Sequence, residues 1–206
     1  MSPSLLYVNL VHRVDTAPDA REALAFQWNS ARGLGLPTTS LLTYPALLSD
    51  EVCAEVAALR GPGDELGIHY HGYMCQAFAD RYGIREGAFW LLPQAIRAAF
   101  IDETMALFTS RFGAPPAAIG GYVIDAWTLR HIRERHPSVR IAITSCFEEG
   151  VKMYYGNNRN WLLFSDGGPW NPYFPSQRNA LAPAHDADEA IDIVAVPHLN
   201  RDMIMA

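Results

Sequence analysis

Apolar and polar positions along this chain switch repeatedly between two periods. Short runs rich in β-branched and aliphatic residues read as strands: "LLYVNLV" (residues 5–11), "TTSLLTY" (38–44), "ELGIHYH" (65–71), "AIGGYVID" (118–125), "VRIAITSC" (139–146) and the end of "EAIDIVAVPH" (189–198). Between them, apolar residues recur at helical spacing. "DAREALAFQWNSARGLG" (19–35) stops at Gly33 and Gly35. "SDEVCAEVAALRG" (49–61) has Ser49 as its N-cap and acids in its first turn. "PQAIRAAFIDETMALFTSRF" (93–112) and "AWTLRHIRERH" (126–136) complete the helical set. No internal repeat and no low-complexity linker interrupts the series, so residues 1–206 read as one domain.

Regular strand–helix alternation predicts an α/β fold with a parallel sheet. The loop after the first strand, "HRVDTAPDA", lacks both GxGxxG and GxxxxGK[ST], which speaks against an open nucleotide-binding sheet. Ionisable residues collect instead behind the strands. His12, Arg13 and Asp15 follow the first, His69 and His71 end the third, and Asp125 ends the fourth. Glu148 and Glu149 follow the fifth, and His198, Asn200, Arg201 and Asp202 follow the last. Functional groups at the carboxyl ends of parallel strands mark a (β/α) barrel site. The expected fold is therefore an irregular (β/α) barrel of about six to seven parallel strands. It is expected to be truncated at the C-terminus, where "VAVPHLNRDMIMA" stops after a strand with no closing helix.

Bulk properties narrow the partners. Half of the 206 residues are hydrophobic and 18% are charged, as in a globular protein. A net charge of -6 and the absence of a basic run disfavour nucleic acid and anionic lipid surfaces. Cys53, Cys75 and Cys146 are scattered, which suits buried thiols in a reducing compartment. The N-terminus lacks a positive n-region, and no apolar run approaches membrane-spanning length, so a cytoplasmic location is the expectation.

The most specific chemistry lies in "GDELGIHYHGY" (63–73). Residues i and i+2 of a strand share a face, so His69 and His71 point the same way. Two imidazoles with a carboxylate such as Asp15 form a common divalent-metal set, zinc first among them. The plainer alternative is that these histidines hydrogen-bond loop backbone. His198 suits general acid catalysis, or else is a satisfied histidine beside Pro197. Asp125 is either an acid/base group among apolar neighbours or the N-cap of the helix that follows. His131, His136 and His185 read as solvated. The segment 147–186 interleaves Tyr154, Tyr155, Trp161, Trp170, Tyr173 and Phe174 with small polar residues. It reads either as a platform for sugar rings or as a satellite core under a long loop. Arg13, Trp170 and Tyr173 are the candidate substrate contacts.

These stretches resemble the polysaccharide deacetylase (NodB-homology) superfamily and distantly related glycoside hydrolase–deacetylase (β/α) barrels. "DELGIHYHGY" looks like its metal-binding strand, "AIGGYVIDAWTLRHIRERHPSVRIAITSC" is similar to a strand–helix–strand unit, and "IDIVAVPHLN" resembles its last strand, which ends in a catalytic histidine. The resemblance implies a metal-dependent hydrolase acting on carbohydrate, with metal-activated water attacking an acetyl group. It implies Asp15, His69 and His71 as ligands and His198 as the acid. Three departures stand out. Tyr73 occupies the place of the commoner second histidine, Asp15 stands alone where two adjacent aspartates are usual, and an Arg-x-Pro-Tyr turn is absent. If Asp15 is the ligand, the base comes from elsewhere, with Asp125 as a candidate. If Asp15 is the base, the metal lacks its carboxylate. A metal-independent glycoside hydrolase using paired carboxylates and a non-catalytic sugar-binding barrel are the rival readings.

Overall fold

The computed structural model describes residues 10–70, 76–84, 89–121, 124–144, 171–180 and 182–197. Among them, six strands form one sheet: β1 (Leu10–Val14), β2 (Thr38–Leu42), β3 (Glu65–His69), β4 (Ala118–Gly121), β5 (Ile141–Thr144) and β6 (Val194–Pro197). Each pairs parallel with the next in chain order. Right-handed crossovers taken always in the same direction put every connecting helix on one face. The sheet curls into a half-barrel away from that face, and no pairing joins β1 to β6 among the described residues. The barrel-like α/β fold expected from the alternation is what the chain forms.

The helices start and stop where local chemistry dictates. α1 (Pro18–Gly33) begins with proline in its first turn and buries Leu24, Trp28 and Ala31, one stripe at i, i+4 and i+7. Thr43 caps α2 (Tyr44–Leu48), and the Ser49 hydroxyl accepts the Val52 N–H to cap α3 (Asp50–Leu59). After β3 come α4 (Gln76–Tyr82), a 3₁₀ turn (Phe89–Leu91) and α5 (Gln94–Phe112), which ends at Gly113 with φ 76°. α6 (Ala126–Arg135) follows β4.

The register sorts side chains between two layers. Val14, Leu42, Ile68, Ile119 and Ala142 lie in one row across β1 to β5 and pack into the large core under the helices. That core includes a nest of edge-to-face and stacked rings: Tyr44, Tyr70, Phe78, Phe89 and Phe100. Leu41, Ala118 and Ile143 form a smaller cluster on the opposite, concave face, with Val11 and Val196 packed against it. Cys53 is a buried free thiol whose pKa is raised by burial, as its reading from sequence requires; Cys75 and Cys146 lie outside the described residues.

Strand boundaries differ from the sequence expectation: β3 ends at His69, so the strand does not run on through Tyr70, while β4 ends at Gly121 and β5 begins at Ile141. The first strand runs through Val14, so His12 and Arg13 belong to it rather than following it, and residues 5–9 lie outside the described residues. The strand continues because Leu10, His12 and Val14 share the helix-facing side, and His12 Nδ1 finds Gln27 Oε1 on α1 at 2.9 Å. The second strand ends at Leu42, since Thr43 turns to cap α2.

Candidate active site

The carboxyl ends of the strands carry the candidate residues. Arg13, Leu41, Gly67, Ala118 and Ile141 form one concave-face row by register, and His69, Gly120, Ile143 and Val196 form the next row toward the carboxyl edge. The two glycines matter here. A Cβ on Gly67 would stand 2.8 Å from Leu41 Cδ2 and 2.2 Å from the Ala118 carbonyl oxygen, and one on Gly120 would stand 2.3 Å from Leu41 Cδ1. Leu41 therefore lies across both glycines and floors the concavity. His69, half-buried, stands above that floor beside a strand position with no side chain. The glycines of "AIGG" and "ELGIH" thus make room for both the floor and the imidazole.

Asp15 stands one residue past β1. Continuing the register by one step aligns it with Thr43 and His69, and the Thr43 hydroxyl approaches Asp15 Oδ1 at 3.5 Å. Two strand spacings, roughly 10 Å between backbones, separate Asp15 from His69. An aspartate and a histidine reaching toward each other can span that gap with a bound ion between them. Asp15 also accepts the Thr16 N–H at 2.9 Å and faces the exposed Arg13 guanidinium at 3.8 Å. The described donors are chemically suited to a divalent metal, a carboxylate and an imidazole at one sheet edge. His71, the third expected ligand, lies outside the described residues, as do His198 and Trp170.

Asp125 has defined partners. Its Oδ1 accepts the Thr128 N–H at 2.8 Å, capping α6, and its Oδ2 pairs with Arg97 Nη1 at 2.7 Å. The Arg97 side chain is buried and lies over the Trp127 ring, 4.8 Å from its centroid. Tyr173 is buried at the outer edge of β6, where its backbone pairs antiparallel with Ala195 and its hydroxyl donates to the Ala180 carbonyl at 2.7 Å. Its neighbour Phe174 is exposed. Tyr173 thus extends the sheet edge, while Tyr154, Tyr155 and Trp161 lie outside the described residues.

No family model and no curated protein match the sequence. A solved structure from Parabacteroides distasonis, described as a "putative glycoside hydrolase/deacetylase", superposes with a TM-score of 0.65 at 18% identity. The likeness is one of fold. It covers 96% of this chain and 46% of that one, so the chain spans under half the length of that protein. Among the described residues, no helix is long and apolar enough to cross a membrane.

One cluster escaped the sequence reading. His131 and His136, expected to be solvated, both direct Nε2 to Asp102 Oδ1, at 3.1 and 2.7 Å, and their side chains are only 17% and 20% exposed. Burial opposes ionisation of Asp102, but the hydrogen bonds from His136 and His131 hold its carboxyl below the usual range. The sequence signal was two histidines on one helix end with a lone aspartate on the apolar-striped helix before it. Their meeting depends on how α5 packs against α6, which spacing does not report.

Proposed function

We propose that this chain is a metal-dependent hydrolase acting on carbohydrate, and specifically a sugar or polysaccharide deacetylase. The observation that carries the reading is the placement of Asp15 and His69 at the carboxyl edge of a half-barrel, with His69 on the concave face over a glycine floor. The resemblance of "DELGIHYHGY" to the deacetylase metal strand and the shared fold with a protein described as a glycoside hydrolase/deacetylase support it.

In this reading Asp15, His69 and His71 hold a divalent ion, zinc first. Such an ion, when bound, lowers the pKa of water and polarises an acetyl carbonyl. Arg13, one concave-face step below Asp15, offers its guanidinium to substrate oxygens. His198 donates a proton to the departing amine or alkoxide. With Asp15 as ligand, Asp125 is the candidate base, held in place by Arg97 as a positioning residue. A glycosidase needs two carboxylates flanking a glycosidic bond. Asp15 and Asp125 would be the described members of such a pair, but His69 beside Asp15 on the concave face and the resemblance of "DELGIHYHGY" to a metal strand favour the deacetylase reading. Trp170 is the proposed sugar contact, whereas Tyr173, with its hydroxyl committed to the Ala180 carbonyl, braces the edge of β6 instead.

The test is acetate release from a panel of N- and O-acetylated oligosaccharides, before and after chelation and after zinc is restored. Activity lost on chelation and regained with zinc supports the reading. Undiminished acetate release from metal-free protein contradicts it.

A further inference from the structure

We propose that Asp102, His131 and His136 form a second transition-metal site, on the helical outer side of the half-barrel. Two imidazoles and a carboxylate are a donor set suited to zinc and its neighbours. Their ligand atoms lie within 4.8 Å of one another, and both imidazole Nε2 atoms converge on one carboxylate oxygen.

The surroundings hold this geometry. The His131 ring stacks on Trp127 with a centroid distance of 5.4 Å and an interplanar angle of 12°. Trp127 is in turn covered by Arg97. The exposed guanidinium of Arg135 lies 3.6 Å from Asp102 Oδ2, the oxygen the histidines do not use, and leaves the shared Oδ1 unoccupied. Such outer partners orient metal ligands and tune their affinity. Asp102 and His136 also line a cavity of about 450 Å³ together with Met105, Thr109 and Ser138. An ion held by three protein ligands would have its remaining coordination position available toward that space, for water or a small anionic ligand.

The site is separate from the carboxyl edge of the sheet. Asp125 caps the start of α6 at that edge, and His136 caps the other end of the helix, 11 residues on. At the rise of an α-helix this places His136 about 16 Å and His131 about 9 Å along the axis from Asp125. The two proposed metals share no ligand, so either can exist without the other.

The experiment is a zinc titration of the metal-stripped full chain, followed by NMR of the histidine rings and by calorimetry. In the unaltered protein, the ring resonances of His131 and His136 are expected to shift together and to saturate within two equivalents of zinc, one for each proposed site. His131→Ala and His136→Ala are each expected to weaken this site's equivalent by more than the roughly 10–100-fold that losing an outer-shell partner costs. His69→Ala is expected to leave it in place. Ring resonances of both residues that stay unmoved by zinc would overturn the proposal. So would His131→Ala and His136→Ala proteins that bind zinc with unchanged stoichiometry and affinity. The ring measurement needs no variant, so a variant that fails to fold does not remove the test.

Discussion

Asp64 is buried just ahead of β3 and accepts three hydrogen bonds: from the Thr38 N–H at 2.8 Å, the Thr38 hydroxyl at 3.1 Å and the Gly61 N–H at 2.8 Å. Burial opposes its charge, but these donors and nearby Arg32 hold its pKa below 3.8. Asp64→Ala leaves buried donors without an acceptor and should cost about 2–3 kcal/mol at neutral pH, read from urea unfolding. A carboxylate with a lowered folded pKa adds stability above its unfolded value and loses it as pH falls through the folded one. The gap between the parent and Asp64→Ala should therefore be full above about pH 5, where the unfolded carboxyl is ionised, and should close progressively as the pH falls. At this scale the sequence was legible where chemistry is local. Ser49 and Asp125 both cap helices in the structure, as their positions before apolar helical runs suggested. The link of Asp102 to His131 and His136 was not legible, because it spans 29 and 34 residues and exists only once two helices pack.

At the scale of elements, the concave face depends on two glycines that give different results when filled. A Cβ on Gly67 meets backbone, the Ala118 carbonyl at 2.2 Å, whereas one on Gly120 meets first the movable end of Leu41. Both substitutions to alanine should destabilise by the roughly 1–3 kcal/mol of an overpacked core, with Gly67→Ala at or above the top of that range and the greater of the two. Thermal unfolding of the pair checks the order; equal losses would contradict the account of Leu41 as a yielding floor. The cap of α6 gives a second comparison. Asn caps nearly as well as Asp, so Asp125→Asn isolates the charge facing Arg97, whereas Asp125→Ala also loses the cap and should cost about 1–2 kcal/mol more. Periodicity located the six strands and the longer helices α1, α3, α5 and α6, but not the short α2 and α4 or the 3₁₀ turn at Phe89–Leu91. Strand ends moved where a neighbour overrode that pattern: His12 is drawn into β1 by Gln27, and Thr43 is drawn out of β2 by the N-terminus of α2.

At the scale of the molecule, strand order follows chain order, and this single rule accounts for the half-barrel and for the described helices lying on one side of it. The alternation of elements made this architecture readable from sequence. The extent of closure was not readable, because it depends on whether β1 and β6 meet, and β6 carries Tyr173 on its outer edge instead. The proposed chemistry rests on a metal at the carboxyl edge, and the most direct measurement is an anomalous-difference map from crystals grown with zinc. The account predicts a peak about 2.0–2.2 Å from an imidazole nitrogen of His69 and a carboxylate oxygen of Asp15, with His71 completing the set. Well-ordered His69 and Asp15 side chains with no anomalous peak between them would contradict it.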